Sequence, residues 1–236
     1  MGLQQSATLL AFPQSAHRLR ARLSAALKYH RLPERLAESL IRETLAWPGR
    51  ELEDALACIL AARICIAPLD LQKARAVLLI GASGSGKSAV ADKLAHAAAA
   101  LGREALRSNV NEGLTRLRQA NLSPTSLLVM EADGFNPTNA RARSAFACLS
   151  DIEGVESIGV VSALGDAEDV AETVTALRFR RVIVTGLDRT RRLGAALAAV
   201  TVSPRLAHTT SGPRAIDPLE TPGAPALARM LLEPLS

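Results

Sequence analysis

The sequence predicts an α/β protein in which a doubly wound, mainly parallel sheet follows a small helical bundle. Three observations carry this. Leucine and isoleucine recur at helical spacing through the first 70 residues. Beyond them, short unbroken apolar runs alternate with helix-length segments. The first of those runs ends in a glycine-rich loop that opens a helix. Unbroken runs suit strands covered on both faces, and the repeated strand–helix order is that of a doubly wound sheet.

The elements follow in order. Leu19, Leu23 and Leu27 form one stripe, Leu36, Leu40, Ile41 and Leu45 a second, and Leu52, Leu56, Ile59 and Leu60 a third. Glu51, Glu53 and Asp54 favour a helix start there through the macrodipole. Leu32-Pro33-Glu34 reads as a helix start, Trp47-Pro48-Gly49 as a stop, and Pro68 closes the bundle. Strands are expected at Ala76–Ile80, Ser126–Met130, Ile158–Val161 and Val182–Thr185, with a further one near Arg205–Thr209. Helices are expected over 88–101, 112–120, 138–150, 166–178, 190–199 and 224–232. The division is therefore a helical bundle at 1–72 and an α/β domain at 73–236.

Length and composition agree. A chain of 236 residues with 48% hydrophobic and 22% charged residues folds without disulfides or metal. Aromatics are 3%, with a single Trp47 and a single Tyr29, which argues against base-stacking nucleic-acid modules. The net charge is +5, and only Lys28, Lys73, Lys87 and Lys93 among the 28 basic residues are lysines. Cys58, Cys65 and Cys148 are odd in number and lack metal-ligand spacing, and two of them fall on a predicted apolar helix face, as expected of buried, reduced thiols in a reducing compartment. No apolar run is long enough for a membrane-spanning helix. Met1-Gly2-Leu3-Gln4-Gln5-Ser6 fits the widespread N-myristoylation pattern. Residues 1–33 hold no acid but carry Arg18, Arg20, Arg22, Lys28 and Arg31. That suits a transit peptide, a membrane-surface helix, or an ordinary helix with a solvated basic face.

The chemistry-bearing motif is Gly81-Ala82-Ser83-Gly84-Ser85-Gly86-Lys87-Ser88, a complete G-x-x-x-x-G-K-S phosphate-binding loop between a strand and a helix. The glycines let successive N–H groups face a phosphate, and the helix N-terminus adds positive partial charge. Lys87 is placed to reach the β- and γ-phosphates, and the Ser88 hydroxyl to hold Mg²⁺. Such a loop needs an acid at the end of a neighbouring strand. Glu131, after Leu127–Met130, fits, and Asp133 is the other candidate. Thr185-Gly186-Leu187-Asp188 ends another strand. A carboxylate there can accept both the N1–H and N2–H of guanine, which adenine cannot supply.

Together these pieces resemble the signal-recognition-particle family of GTPases, in particular its FlhF branch, with FtsY as a relative. That resemblance implies a helical N domain on a GTPase G domain, GTP or GDP with Mg²⁺ as cofactors, and Glu131 and Asp133 as catalytic acids. It rests on Gly81–Ser88, on Thr185–Asp188 with Leu193-Gly194, and on Thr210-Ser211-Gly212. In the family the last of these helps close over the guanine, and Ile216–Leu232 resembles its closing loop and helix. The implied nucleotide ligands are thus Gly81, Ser83, Gly84, Ser85, Gly86, Lys87, Ser88, Thr185, Asp188, Ser211 and Gly212, with Ser88 and Glu131 on the metal.

The chain also departs from the family. The second motif's Asp, Thr and Arg should fall near Asn109 or Asn111, where none stands. The third motif reads Glu131-Ala132-Asp133-Gly134 in place of Asp-Thr-Ala-Gly, and Gly186 replaces a Lys that would stack on the purine. Lys87 and Glu131 are 44 positions apart. The family's extra β-α insertion needs about 25 residues more on ordinary element lengths, so it is expected to be missing. Weak or lost hydrolysis follows as an expectation.

Two rival readings use the same residues. A small-molecule kinase using ATP would need a lid, for which Arg141 and Arg143 are candidates. A non-hydrolysing interaction module would use Arg178, Arg180, Arg181, Arg189, Arg191 and Arg192 as a basic surface for an acidic partner, nucleic acid or lipid. On composition no specific nucleic acid is expected, and the family resemblance instead implies pairing of two G domains across their nucleotides, as a homodimer or heterodimer. It also implies a bacterial cytoplasm with peripheral placement at the inner membrane or cell pole, in flagellar placement or membrane protein targeting.

Overall fold

The computed structural model describes residues 6–47, 51–119, 122–134, 139, 141, 152–202 and 204–233. Two compact units emerge. One gathers the described residues up to Arg63 with those from Gly223 onward, and the other runs from Ile64 to Pro222.

The first unit is helical. It holds α1 (Ser6–Tyr29), α2 (Glu34–Leu45), α3 (Leu52–Arg63) and the last helix, α8 (Ala224–Leu232). Most of the stripe residues form its interior: Leu23, Leu27, Leu40, Leu56 and Leu60 are fully buried, whereas Leu19, at the outer end of its stripe, is exposed. The expected burial of the thiols is not met either, with Cys58 half-buried and Cys65 exposed just past the end of α3. From α3, the Arg63 guanidinium donates to Glu43 (3.0 Å) and Ser39 (2.6 Å) on α2, which fixes the two helices side by side. Helix α8 adds Leu227, Ala228, Leu231 and Leu232 against α3. Its sequence distance from α1–α3 hides that partnership.

The second unit is one seven-stranded sheet. Its strands are β1 (Ala76–Ile80), β2 (Glu104–Asn109), β3 (Ser126–Glu131), β4 (Glu156–Ser162), β5 (Arg181–Thr185), β6 (Arg205–Thr210) and β7 (Leu219–Glu220). The order is β2-β3-β1-β4-β5-β6-β7, parallel except for β7, which runs antiparallel to β6. Around it stand α4 (Lys87–Ala100), α5 (Val110–Arg118), α6 (Ala167–Leu177) and α7 (Gly194–Thr201). Every residue of β1 is buried, as an unbroken apolar run demands. Val77, Leu79, Val90, Leu94, Val129, Ile158 and Ile183 share one core.

The expected strands are present, as are the expected helices that fall on described residues, with instructive differences. Strand β2 escapes sequence reading because Glu-Ala-Leu-Arg-Ser-Asn is neither apolar nor cleanly alternating. It lies at the sheet edge, where half-exposure tolerates such a mixture. Helix α7 begins at Gly194, later than the expected 190, because Thr190 is extended and Leu187–Arg189 forms a short 3-10 turn first. The helix expected over 138–150, with Arg143, lies almost wholly outside the described residues, as does the Pro48-Gly49 stop. Between Lys87 and Glu131 the described residues hold only α4, β2, α5 and β3. Among the described residues no helix is long and apolar enough to cross a membrane.

Candidate functional site

The C-terminal ends of β1, β3 and β5 converge on one loop. Gly81–Gly86 leaves β1 and enters α4, with Gly86 in the left-handed region at φ 92 just before the helix. Only glycine adopts that conformation freely. A Cβ on Gly86 would also press on Thr185, 3.1 Å from its hydroxyl oxygen. On the other side Gly134 lies flat against the loop, so a Cβ there would come within 2.8 Å of Ser83 Cα. The Glu131–Gly134 segment thus reaches the phosphate loop from β3, as Thr185 reaches it from β5.

The charged groups are arranged for an anion and a cation. Lys87 Nζ donates to its own loop's carbonyls, Gly81 O (3.0 Å) and Ala82 O (3.1 Å). Burial pulls the Lys87 ammonium below the ordinary lysine value, while the Glu131 and Asp133 carboxylates act against that shift. A phosphate would give the ammonium a better partner than two carbonyls. Ser88 Oγ donates to Glu131 Oε2 at 2.7 Å, which brings together the two groups assigned to Mg²⁺. The Ser85 hydroxyl is buried and has no hydrogen-bond partner, a polar group left over inside the cradle. Glycine backbone, ammonium, hydroxyl and carboxylate together fit a Mg²⁺–phosphate group. Bound there, Mg²⁺ would supply charge neutralisation for the phosphate oxygens.

The other expected residues fall around this centre. The Thr185 hydroxyl donates to Ser85 O at 2.7 Å and braces the loop from β5. Asp188 is exposed within the 3-10 turn that follows β5, a turn that neighbours the end of β6. Ser211 and Gly212 lie just past β6, with the Ser211 hydroxyl donating to Glu220 at 2.7 Å. Asn109 caps α5, its side-chain oxygen accepting from Glu112 N at 3.0 Å. The place where a second-motif Asp is expected therefore starts a helix.

Two residues of the site went unread in the sequence. Lys93, on α4, is 2% exposed and donates to Arg214 O (2.6 Å) and Asp217 O (3.0 Å), holding the loop after Gly212. Its i+6 spacing from Lys87 hinted at a shared helix and nothing more. Arg107, on β2, ion-pairs with both Glu131 and Asp92. A strand unseen in the sequence hides its side chain's direction. A cavity of about 230 Å³, lined by Ala82, Ser83, Ser85, Val161, Val170 and Phe179 among others, opens on the loop from its β4–α6 side.

The basic run is contiguous in sequence but not in space. Arg178, Arg180 and Arg181 sit where β5 begins, and Arg189, Arg191 and Arg192 follow its far end. Five strand residues place the two groups about 15 Å apart. Arg181 is moreover paired with Glu156 at 2.7 Å.

No protein-family model matches the sequence, and no curated protein does. Solved structures match it closely in shape. FlhF complexed with GTP and Mg²⁺ superposes with a TM-score of 0.68 at 17% identity, over 91% of this chain and 99% of that one. The signal recognition particle receptor FtsY from Elizabethkingia anophelis, in complex with GDP, gives 0.68 at 13% identity, over 90% and 84%. Chloroplast FtsY from Physcomitrella patens gives 0.69 at 16%, over 90% and 87%. The fold is that of the signal-recognition-particle GTPases. At these identities the likeness establishes architecture, and the chemistry of this chain rests on its own residues.

Proposed function

We propose that the chain is a guanine-nucleotide-binding protein of the signal-recognition-particle GTPase type that hydrolyses GTP slowly or not at all. The observation that carries this is a contrast within the site. The phosphate loop is complete, with Lys87, Ser88 and Glu131 gathered around it. Yet near Asn109 or Asn111, where the resemblance expects a catalytic Asp, the chain has a helix cap and the first turn behind it. In this reading Gly81–Ser88 holds the phosphates, Ser88 and Glu131 hold Mg²⁺, and Glu131 and Asp133 are the catalytic acids. Asp188 reads guanine, with Thr185, Ser211 and Gly212 around it. Loss of groups aimed at the attacking water costs orders of magnitude in rate.

The biological setting carries over from the same likeness. It is flagellar placement or membrane protein targeting in a bacterial cytoplasm, at the inner membrane or cell pole, through a homodimer or heterodimer across the nucleotide face. Calorimetry with GTP, GDP and ATP in Mg²⁺, followed by single-turnover hydrolysis, tests the biochemical core. Guanine preference with a rate far below that of competent relatives is expected. A comparable rate would overturn the slow-hydrolysis reading. ATP preference with a phosphorylated sugar product would favour a kinase, and no binding at all an interaction module.

A further inference from the structure

We propose that Arg107 is a resident counter-cation of the metal-binding acid, competing with Mg²⁺ at Glu131 so that nucleotide binding depends only weakly on the metal. The inference rests on Ser88 and Glu131 being the metal pair, as proposed above.

The geometry begins with register. Strand β2 pairs with β3 so that Asn109 lies opposite Glu131 and Arg107 opposite Val129. From there the guanidinium spans two carboxylates on different elements, Glu131 at the end of β3 and Asp92 on α4. Asp92 stands one turn past Ser88 on the same face of that helix. Arg107 therefore sits across the strip where the Ser88 hydroxyl meets the acid. Both Glu131 oxygens are engaged: Oε2 accepts from Ser88 and Oε1 from Arg107. The planar fork suits two carboxylates at once, which a lysine ammonium does less well.

The consequence is electrostatic. A divalent ion entering at Ser88 and Glu131 needs the carboxylate's negative charge. Arg107 cancels one of the nearby carboxylates and adds repulsion toward the ion. The guanidinium side chain is 41% exposed, so solvent weakens the effect without removing it. The expected size is about tenfold in metal affinity, the scale of one charge a few ångströms away in a solvated site.

The test uses the full-length chain in two arms. In the first, the affinity for a fluorescent GDP analogue is measured across a Mg²⁺ titration. Nucleotide affinity of Arg107→Met should rise with Mg²⁺ at a half-effect concentration about tenfold lower than that of the wild type, which changes little over that lower range. Arg107→Lys should fall between them, and adding Glu131→Gln to Arg107→Met should remove the new metal dependence. In the second arm, Mn²⁺ alone is titrated against nucleotide-free protein, with free Mn²⁺ read by electron paramagnetic resonance. Arg107→Met should bind it about tenfold more tightly than the wild type. Equal Mn²⁺ binding in the two proteins overturns the proposal, as does equal Mg²⁺ dependence wherever nucleotide binds. Tighter Mn²⁺ binding without any nucleotide binding would support the role of Arg107 while removing the nucleotide reading.

Discussion

The two flanks of the phosphate loop are built from different materials. Toward β5 and β6, beside the exposed pairs Ser211–Glu220 and Arg214–Asp217, two buried side chains are directed at main-chain oxygens: Thr185 to Ser85, and Lys93 to Arg214 and Asp217. Toward β3 and β2, contacts join partly exposed side chains: Ser88 with Glu131, and Arg107 with Glu131 and Asp92. Buried bonds of the first kind fix geometry and are expensive to break. Solvated ion pairs of the second kind contribute little to stability and rearrange readily. The β5–β6 flank is therefore the scaffold, and the β3–β2 flank is where charge can be exchanged.

The largest expected effect lies between the flanks. Lys87→Ala should weaken guanine-nucleotide binding roughly 100-fold, the scale of a charge-assisted phosphate contact. It should leave the melting temperature almost unchanged, because the ammonium's hydrogen bonds in this structure are to two carbonyls of its own loop. Calorimetry and thermal melting on one preparation separate these outcomes. A large drop in melting temperature would mean that the cradle is itself structural, and the contrast between flanks would fail.

Next in size is the scaffold itself. Lys93→Met leaves the carbonyls of Arg214 and Asp217 without their buried donor, at about 2–3 kcal/mol of stability. Removing the half-exposed Arg107 by Arg107→Met should cost under about 0.5 kcal/mol. Urea denaturation of both variants measures the difference directly. Equal losses would dissolve the distinction between a buried flank and a solvated one.

That distinction also explains what could be read in the sequence. The phosphate loop was legible because its chemistry is local: eight consecutive residues, a strand before and a helix after. The apolar runs of β1, β3, β4 and β5 were legible because central parallel strands are covered on both faces. Arg107 was not, because its meaning depends on pairing between β2 and β3 across more than 20 residues and on a strand of mixed composition. Lys93 was not, because its acceptors are main-chain carbonyls more than 120 residues away, and carbonyls leave no mark in a sequence. The sequence places Thr185 beside Asp188 but gives no sign that its hydroxyl meets Ser85 O, a contact set by neighbouring strand ends. The grouping of α8 with the first three helices depends equally on the folded path of the chain.

A smaller effect than the loss expected for Lys93→Met asks whether the buried flank carries a pH dependence of its own. His208, on β6, is 8% exposed and accepts the Leu69 N–H at Nε2, 3.1 Å away. That ring nitrogen is then unprotonated. Burial lowers the folded-state value below the ordinary 6.5, the Arg181 charge lowers it further, and a hydrogen bond to the Glu220 main chain opposes both. Because the folded value lies below the unfolded one, the unfolded chain binds the extra proton first as pH falls. Stability from this contact is therefore complete above 6.5, declines as pH drops below it, and levels off past the lowered value. The lost Leu69 hydrogen bond sets the scale at about 1 kcal/mol. Urea melts between about pH 7.5 and 5, above the carboxylate range, should show this decline in the wild type. In His208→Gln, whose amide oxygen can accept the same N–H without titrating, the decline should be absent. If the two proteins lose stability in parallel, the buried flank owes its pH response to other groups, and its bond to Leu69 is structurally inert to protons.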